Sequence, residues 1–247
     1  MTLEEFFAKN KKLAIALSGG IDSAYLLYSA VKYGTDVLPV FVKSEFQPEF
    51  EKDDALKFAK SLNLNVRIAE ISLLSNENVI KNDNLRCYWC KKKIISTIKE
   101  IVNRENFSVI ADGTNASDAA DDRPGMIALR EFGVLSPLRE CGITKTEIRQ
   151  KAKEAGVFLW NKPAYACLAT RIPTGVRIEN EILIKTEKAE SELIALGFYD
   201  FRVRYFYGAA RVQIKDNQKQ KFISQADKIN ELLKKYFDII MLDLEKR

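Results

Sequence analysis

Histidine is absent from this 247-residue chain. That absence removes every catalytic arrangement built on imidazole and every metal site with a histidine ligand. Long apolar runs are missing at the start, where MTLEEFFAKNKK is acidic and then basic, so neither a secretory signal nor a membrane span is expected. Cysteine is sparse. With no export signal, the four thiols are expected in a reducing, cytoplasmic compartment, where they serve metals or chemistry and not disulfides. A lopsided charge is lacking as well. The 39 basic and 34 acidic residues leave +5, which permits an anionic substrate but argues against a nucleic-acid partner. There is no internal repeat or low-complexity tract. What remains is 47% hydrophobic and 30% charged, a globular composition long enough for one sizeable domain and a smaller one.

The first half alternates apolar runs with helical stretches. KLAIALS (12–18), DVLPVFVKS (36–44), LNVRIAEI (64–71) and FSVIADGTN (107–115) read as strands, the first three as buried ones. EFEKDDALKFAKSL (49–62) and KKKIISTIKEIVNRE (91–105) read as helices between them, the second following the CYWC pair. Such alternation predicts an α/β fold, a parallel sheet with helices on both faces, with ligands bound beyond the carboxyl ends of the strands. TKTEIRQKAKEAG (144–156) carries a helix start at Thr144 with Glu147 three residues on, and a stop at Gly156. Beyond RIPTGVRI the texture changes. A helix near 179–196 is followed by FRVRYFYGAARVQI (201–214), which alternates like two antiparallel strands turning at Gly208, then by a last helix and FDIIMLDL. The boundary is drawn at Thr174–Gly175, giving domains 1–174 and 175–247, the second a small α+β domain.

SGGIDS, Ser18 to Ser23, lies between the first strand and a helix. Gly19 and Gly20 let the backbone turn tightly and approach a ligand, and the helix start presents open N–H groups and the positive end of its dipole. Together these form an anion cradle suited to phosphate. Ser18 and Ser23 add hydroxyls, and Asp22 is placed to hold Mg²⁺ against the phosphates. The string lacks the Gly-Lys-Ser/Thr ending of a Walker A loop. It resembles the signature of pyrophosphate-loop enzymes, which cleave ATP between its α and β phosphates and adenylate a substrate oxygen.

RCYWCKKK, ADGTNASDAADDRPG, SPLRECGITKTEIR, WNKPAYACLATRIPTG and RVRYFYGAARVQI then resemble, in order, blocks of the LarE-type sulfur transferases. The resemblance runs from about Leu13 to Gln213, and the last block matches least. The resemblance implies a pyrophosphate-loop ATP-binding domain, a homo-oligomer, and ATP-dependent conversion of pyridinium-3,5-biscarboxylic acid mononucleotide to a thiocarboxylate in nickel-pincer nucleotide synthesis. Family members tend to carry a histidine within the segment RYFYG and an acidic residue at Gln213, and this chain has neither.

Cys87 and Cys90 are spaced so that a turn or helix start brings both sulfurs to one side. A zinc site would need a fourth ligand, and only one C-x-x-C pair exists. Within the family, as the resemblance implies, one branch sacrifices the sulfur of a lone cysteine at the position of Cys167. The other holds a 4Fe-4S cluster on three cysteines matching Cys87, Cys90 and Cys167, fed by a sulfide donor. All three are present here, so the second branch is expected. Cys141 reads as a small buried hydrophobe. Tyr88 and Trp89 are candidates to stack on a pyridinium ring.

Asp112, Gly113, Thr114 and Asn115 end a strand on the nucleotide rim, with Gly113 and Thr114 assigned to ATP. Asp118, Asp121, Asp122 and Arg123 read as a solvated charge run with a possible place in the pocket. Lys162 and Arg171 flank Cys167 in sequence and would favour its thiolate if near it. Arg171, Arg202, Arg204 and Arg211 are assigned to substrate, the last three as a forked grip on phosphate or carboxylate. Three readings stay open beside the cluster enzyme: a tRNA-thiolating enzyme, the same enzyme with a sacrificial Cys167, and a non-enzymatic nucleotide-binding module with structural zinc.

Overall fold

The computed structural model describes residues 1–118 and 123–245, so Asp121 and Asp122 lie outside the described residues. The chain forms two compact units, one of residues 1–73 and 85–162, the other of residues 74–84 and 163–247.

The first unit opens with α1 (Leu3–Lys9), where Thr2 and Glu5 form a reciprocal capping box. Then follow β1 (Lys12–Leu17), α2 (Ile21–Lys32), β2 (Asp36–Lys43), α3 (Glu49–Ser61) and β3 (Arg67–Glu70). A single helical turn, α4 (Glu77–Ile80), belongs to the second unit. The first unit resumes with α5 (Arg86–Arg104), β4 (Ile110–Ala111), α6 (Pro124–Glu131), α7 (Pro137–Glu140) and α8 (Lys145–Glu154). The four strands are parallel in the order β3-β2-β1-β4. Alternation along β1 explains the layering. Leu13, Ile15 and Leu17 face a core shared with Leu26 and Leu27 of α2 and Ile148 of α8. Ala14 faces the other side, with Val40, Val42 and Ile98 and Val102 of α5. Because β2 lies on one side of β1 and β4 on the other, the connections reverse at β1, and the ends of β1 and β4 flank that switch point.

Two sequence expectations change. β3 is not a buried strand: it forms the sheet edge, and Arg67, Ile68 and Glu70 are exposed there. An edge strand has a neighbour on one side only and carries charge that discourages further pairing. The CYWC pair does not precede its helix but lies inside it, since α5 begins at Arg86. The expected start of α8 is present, with Thr144 and Glu147 capping each other. No helix among the described residues is long and apolar enough to cross a membrane.

The second unit contains a short 3-10 turn at Leu168–Arg171, then α9 (Asn180–Ala195), β5 (Arg202–Phe206), β6 (Ala209–Gln213), α10 (Asp216–Ser224), α11 (Ala226–Leu233) and β7 (Ile240–Leu242). β5 and β6 are antiparallel and β7 runs parallel to β6. The hairpin turns on Tyr207 and Gly208 alone, both at positive φ (48° and 91°). Two such residues in succession give the turn whose twist matches the strands. Val203, Ala210 and Val212 bury one sheet face against Leu193, Phe222 and Leu233. Asn82, fully buried, donates to the carbonyls of Pro173 (2.8 Å) and Val176 (2.9 Å) and accepts from Gly175 N. A sequence-distant residue thus fixes the loop after the 3-10 turn.

Candidate active site

The Gly-Gly loop is held from three sides within the first unit. Ser18 N donates to Ser23 Oγ (3.2 Å), which itself donates to Gly20 O (3.2 Å), and the two serine hydroxyls are 3.1 Å apart. Gly19 has φ +74°, and a Cβ there would stand 2.2 Å from the Glu51 carbonyl oxygen at the start of α3. Gly20 is the N-cap of α2 and has no side chain to cap it. The first-turn N–H groups of α2 therefore keep their positive end open to an anion.

The end of β4 closes against this helix start. A Cβ on Gly113 would lie 2.7 Å from Ser23 N, so only glycine allows that approach. Asp112, buried, accepts from Thr114 N (3.2 Å), Thr114 Oγ1 (2.7 Å) and Ser136 Oγ (2.8 Å), which ties the loop down. Thr114 thus spends its hydroxyl on Asp112. Asn115 directs its Nδ2 to Asp22 Oδ1 (3.5 Å), and its N–H goes to Asp118 Oδ2 (2.8 Å). The carboxylate of Asp22 also forms an ion pair with Lys145, the first residue of α8. Arg123 is exposed, just before α6.

Lys162 reaches this loop too. Its ammonium donates to Gly19 O (2.8 Å) and Asp54 Oδ2 (2.6 Å). Its backbone is held by Arg149, which donates to the carbonyls of Trp160 and Lys162, 2.7 Å each.

None of the four cysteines is in a disulfide. Cys87 and Cys90 occupy the first two turns of α5, three apart and so on one face, Cys87 exposed and Cys90 half-buried. Two thiolates in that placement fit as a pair of ligands for an iron–sulfur cluster. Cys167 belongs to the second unit, at the N-cap of the 3-10 turn. Among the described residues no group of three or more Cys, Asp or Glu side chains comes together to hold a metal ion. Cys141 packs against the main core, and burial pushes its thiol up, which keeps it protonated. Tyr88 and Trp89 meet edge to face, and the Tyr88 hydroxyl donates to Glu131 (2.9 Å).

The arginines of the second unit form an internal network. Arg171 is 1% exposed and pairs through Nε with Glu190 Oε1 (2.8 Å), itself 2% exposed. Burial pulls the Arg171 guanidinium down, but the bond and charge of Glu190 more than offset it; Cys167 also acts on it electrostatically. The ring of Tyr165 carries Arg171 (4.4 Å) and Arg202 (4.9 Å), and its hydroxyl donates to Glu190. Burial, followed by the Glu190 charge, pushes that phenol up, so it remains a donor. Arg204 stands directly opposite Arg211 across the hairpin, and Arg202 opposite Gln213, so all four share one face. Arg204 donates to Gln213 and to Thr170 O (2.7 Å), and Arg202 to Ala164 O (2.6 Å). Asp243 accepts from Arg211 and Gln213, 2.7 Å each, and so supplies a carboxylate beside the glutamine.

No family model matches the chain. An uncharacterized protein of Methanocaldococcus jannaschii is 35% identical over 244 residues, 98% of this chain and 93% of that protein. The pyridinium-3,5-bisthiocarboxylic acid mononucleotide synthase of Lactiplantibacillus plantarum is 32% identical over 237 residues, 95% of this chain and 86% of that enzyme. This chain belongs to the LarE-type sulfur transferase family. A tRNA-specific 2-thiouridylase of Thermotoga sp. is similar over less of it, 28% identical over 193 residues, 61% of this chain and 54% of that enzyme. The chain is therefore an enzyme, an ATP-dependent sulfurtransferase built on a pyrophosphate-loop fold.

Within this LarE-type chain, the structure brings Ser18, Gly19, Gly20, Asp22, Ser23, Gly113 and Thr114 together at one switch point. Lys145, Asp54, Tyr165 and Glu190 are marked by no motif spacing in the sequence. Lys145 carries no local signal, since a lysine opening a helix reads as surface charge. Lys162 lies near Cys167 in sequence, yet its charge goes to Gly19 and Asp54, while Arg171 bonds the backbone carbonyl of Ala166 beside Cys167.

Proposed function

We propose that this enzyme adenylates a carboxylate of pyridinium-3,5-biscarboxylic acid mononucleotide and converts it to a thiocarboxylate, in nickel-pincer nucleotide synthesis. The carboxylate oxygen attacks the α-phosphorus of ATP, and pyrophosphate leaves. A sulfur nucleophile then attacks the acyl carbon, and AMP departs with the former carboxylate oxygen. The observation that carries this reading is the glycine loop closed against Glu51, with the first turn of α2 open to charge that grows on the leaving pyrophosphate. Ser18, Gly19, Gly20 and Ser23 bind the phosphates, and Gly113 and Thr114 border the nucleotide. Asp22 exchanges Lys145 for Mg²⁺ when ATP enters.

Cys87, Cys90 and Cys167 would hold a 4Fe-4S cluster, a reading supported by the all-thiolate donor set and the helical spacing of the first two. When bound, the cluster supplies sulfide, replenished by an external donor. The second unit offers the substrate's anionic groups half-buried Arg204 and Arg211 and contributes to a homo-oligomer; Arg171 and Arg202, assigned to substrate from the sequence, are instead buried, their guanidinium groups turned to Glu190 and to backbone carbonyls. A second reading, in which Cys167 gives up its own sulfur, is favoured by its fixed place at the start of the 3-10 turn, where buried Arg171 donates to the carbonyl of Ala166 (2.9 Å).

Anaerobic protein given substrate, ATP, Mg²⁺ and sulfide is expected to form AMP, pyrophosphate and thiocarboxylate, with Cys87→Ala losing both iron and turnover. Release of ADP and orthophosphate would overturn the reading. Loss of hydrogen sulfide mass at Cys167, with Cys87→Ala still active, selects the sacrificial route. Salt-sensitive, productive RNA binding selects a tRNA-thiolating enzyme instead.

A further inference from the structure

We propose that the Lys162 ammonium is a direct ligand of the pyrophosphate displaced from ATP at this loop, an inference that rests on the adenylating reading above. Lys162 lies more than 140 residues from the loop in sequence, yet its Nζ donates to the carbonyl of Gly19 (2.8 Å). Its side chain is 14% exposed, lies over the Phe50 ring at 5.0 Å, and is balanced by Asp54. Holding a largely desolvated ammonium here carries a cost, which its hydrogen bonds and a partner charge must offset. An ammonium has three N–H donors. Gly19 O and Asp54 take two among the described residues, which leaves the third for a phosphate oxygen.

The backbone anchoring supports a fixed task. Arg149 of α8 pins the carbonyls of Trp160 and Lys162, so the lysine approaches the loop from a rigid support. Lys162 therefore does two things at once. It holds the Gly19 peptide in the conformation that opens the first turn of α2, and it brings a positive charge to the loop besides that of Lys145, which pairs with Asp22. As the bond between the α and β phosphates breaks, the negative charge gained by pyrophosphate is met by the α2 amides and by Lys162. Asp54 competes with the ligand for that ammonium and sets how tightly the product is kept.

The test is calorimetric titration of the full chain with inorganic pyrophosphate and, separately, with AMP, both in Mg²⁺. Lys162→Met is expected to weaken pyrophosphate roughly 10- to 150-fold, the loss of one charged hydrogen bond, while AMP binding stays near wild type. Lys162→Arg, which keeps the charge, is expected to fall between the two. Asp54→Asn is expected to tighten pyrophosphate binding, because it releases the ammonium; a purely structural Lys162 predicts no tightening. Unchanged pyrophosphate affinity in Lys162→Met, or equal weakening of AMP and pyrophosphate, overturns the proposal. If Lys162→Met does not fold, Asp54→Asn decides alone, and unchanged or weaker pyrophosphate binding is the contrary result. Wild-type protein that binds neither ligand removes the adenylating reading and this inference with it.

Discussion

Replacing Gly19 by alanine probes the loop in a way that separates two physical costs. The residue sits at φ +74°, and its ideal Cβ would meet the Glu51 carbonyl oxygen at 2.2 Å and its carbon at 2.8 Å. The left-handed backbone costs an L-residue roughly 1–2 kcal/mol. Forcing an atom into packed backbone adds roughly 1–3 kcal/mol, since neither strand end nor helix can yield like a flexible side chain. Gly34 supplies the control: its φ is +68°, and a Cβ there meets nothing within 4 Å. Gly34→Ala carries the backbone cost alone, partly offset by about 0.4–1 kcal/mol from a stiffer unfolded chain. The two variants are therefore expected to differ by roughly 1–3 kcal/mol, with Gly19→Ala the less stable. Urea unfolding followed by tryptophan fluorescence reads this directly, because Trp89 and Trp160 both lie in the first unit. Gly19→Ala is also expected to bind ATP more weakly, while Gly34→Ala binds normally. Equal stability of the two variants, with equal ATP affinity, would refute the contact between loop and α3 on which the phosphate cradle depends.

Glu190→Gln leaves the buried Arg171 charge without its counter-ion, and a loss of roughly 3–5 kcal/mol is expected in urea unfolding of the second unit; a loss under about 1 kcal/mol would contradict that pairing. Lys145→Met removes the cation resident on Asp22, so half-maximal AMP formation is expected at several-fold lower Mg²⁺, whereas Asp22→Asn shifts it higher; a Mg²⁺ dependence unmoved by either variant argues against Asp22 as the ligand. Burial tends to raise the Asp243 carboxyl, but hydrogen bonds from Gln213, Glu245 N and Arg211 and the Arg211 charge bring it below its ordinary 3.8. A depressed folded value means stability that is present above the unfolded pKa and lost as pH falls through the folded one. The urea midpoint is therefore expected to fall below about pH 4, and Asp243→Asn is expected to flatten that part of the profile.

The first-unit architecture was legible because it rests on local pattern. Buried parallel strands read as apolar runs, and KLAIALS and DVLPVFVKS became β1 and β2. Capping chemistry is equally local, so Thr144 and Glu147 announced α8. LNVRIAEI misled because an edge strand keeps some apolar residues while exposing Arg67, Ile68 and Glu70, and position in a sheet is a tertiary property. The helix holding CYWC extended further than its amphipathic stretch, since cysteines and aromatics at its start carry no helical signal of their own. Charged partners were least legible. Whether Lys162 serves Cys167 or Gly19, and whether Arg171 meets Glu190, depends on contacts many residues apart that no spacing encodes.

The central claim is that a substrate carboxylate is adenylated at the Gly-Gly loop before sulfur enters. It is tested most directly by following ¹⁸O from a dicarboxylate mononucleotide labelled in its carboxylate oxygens. The account expects one labelled oxygen in AMP for each thiocarboxylate formed, with unlabelled pyrophosphate. Thiocarboxylate formed while AMP stays unlabelled would contradict it.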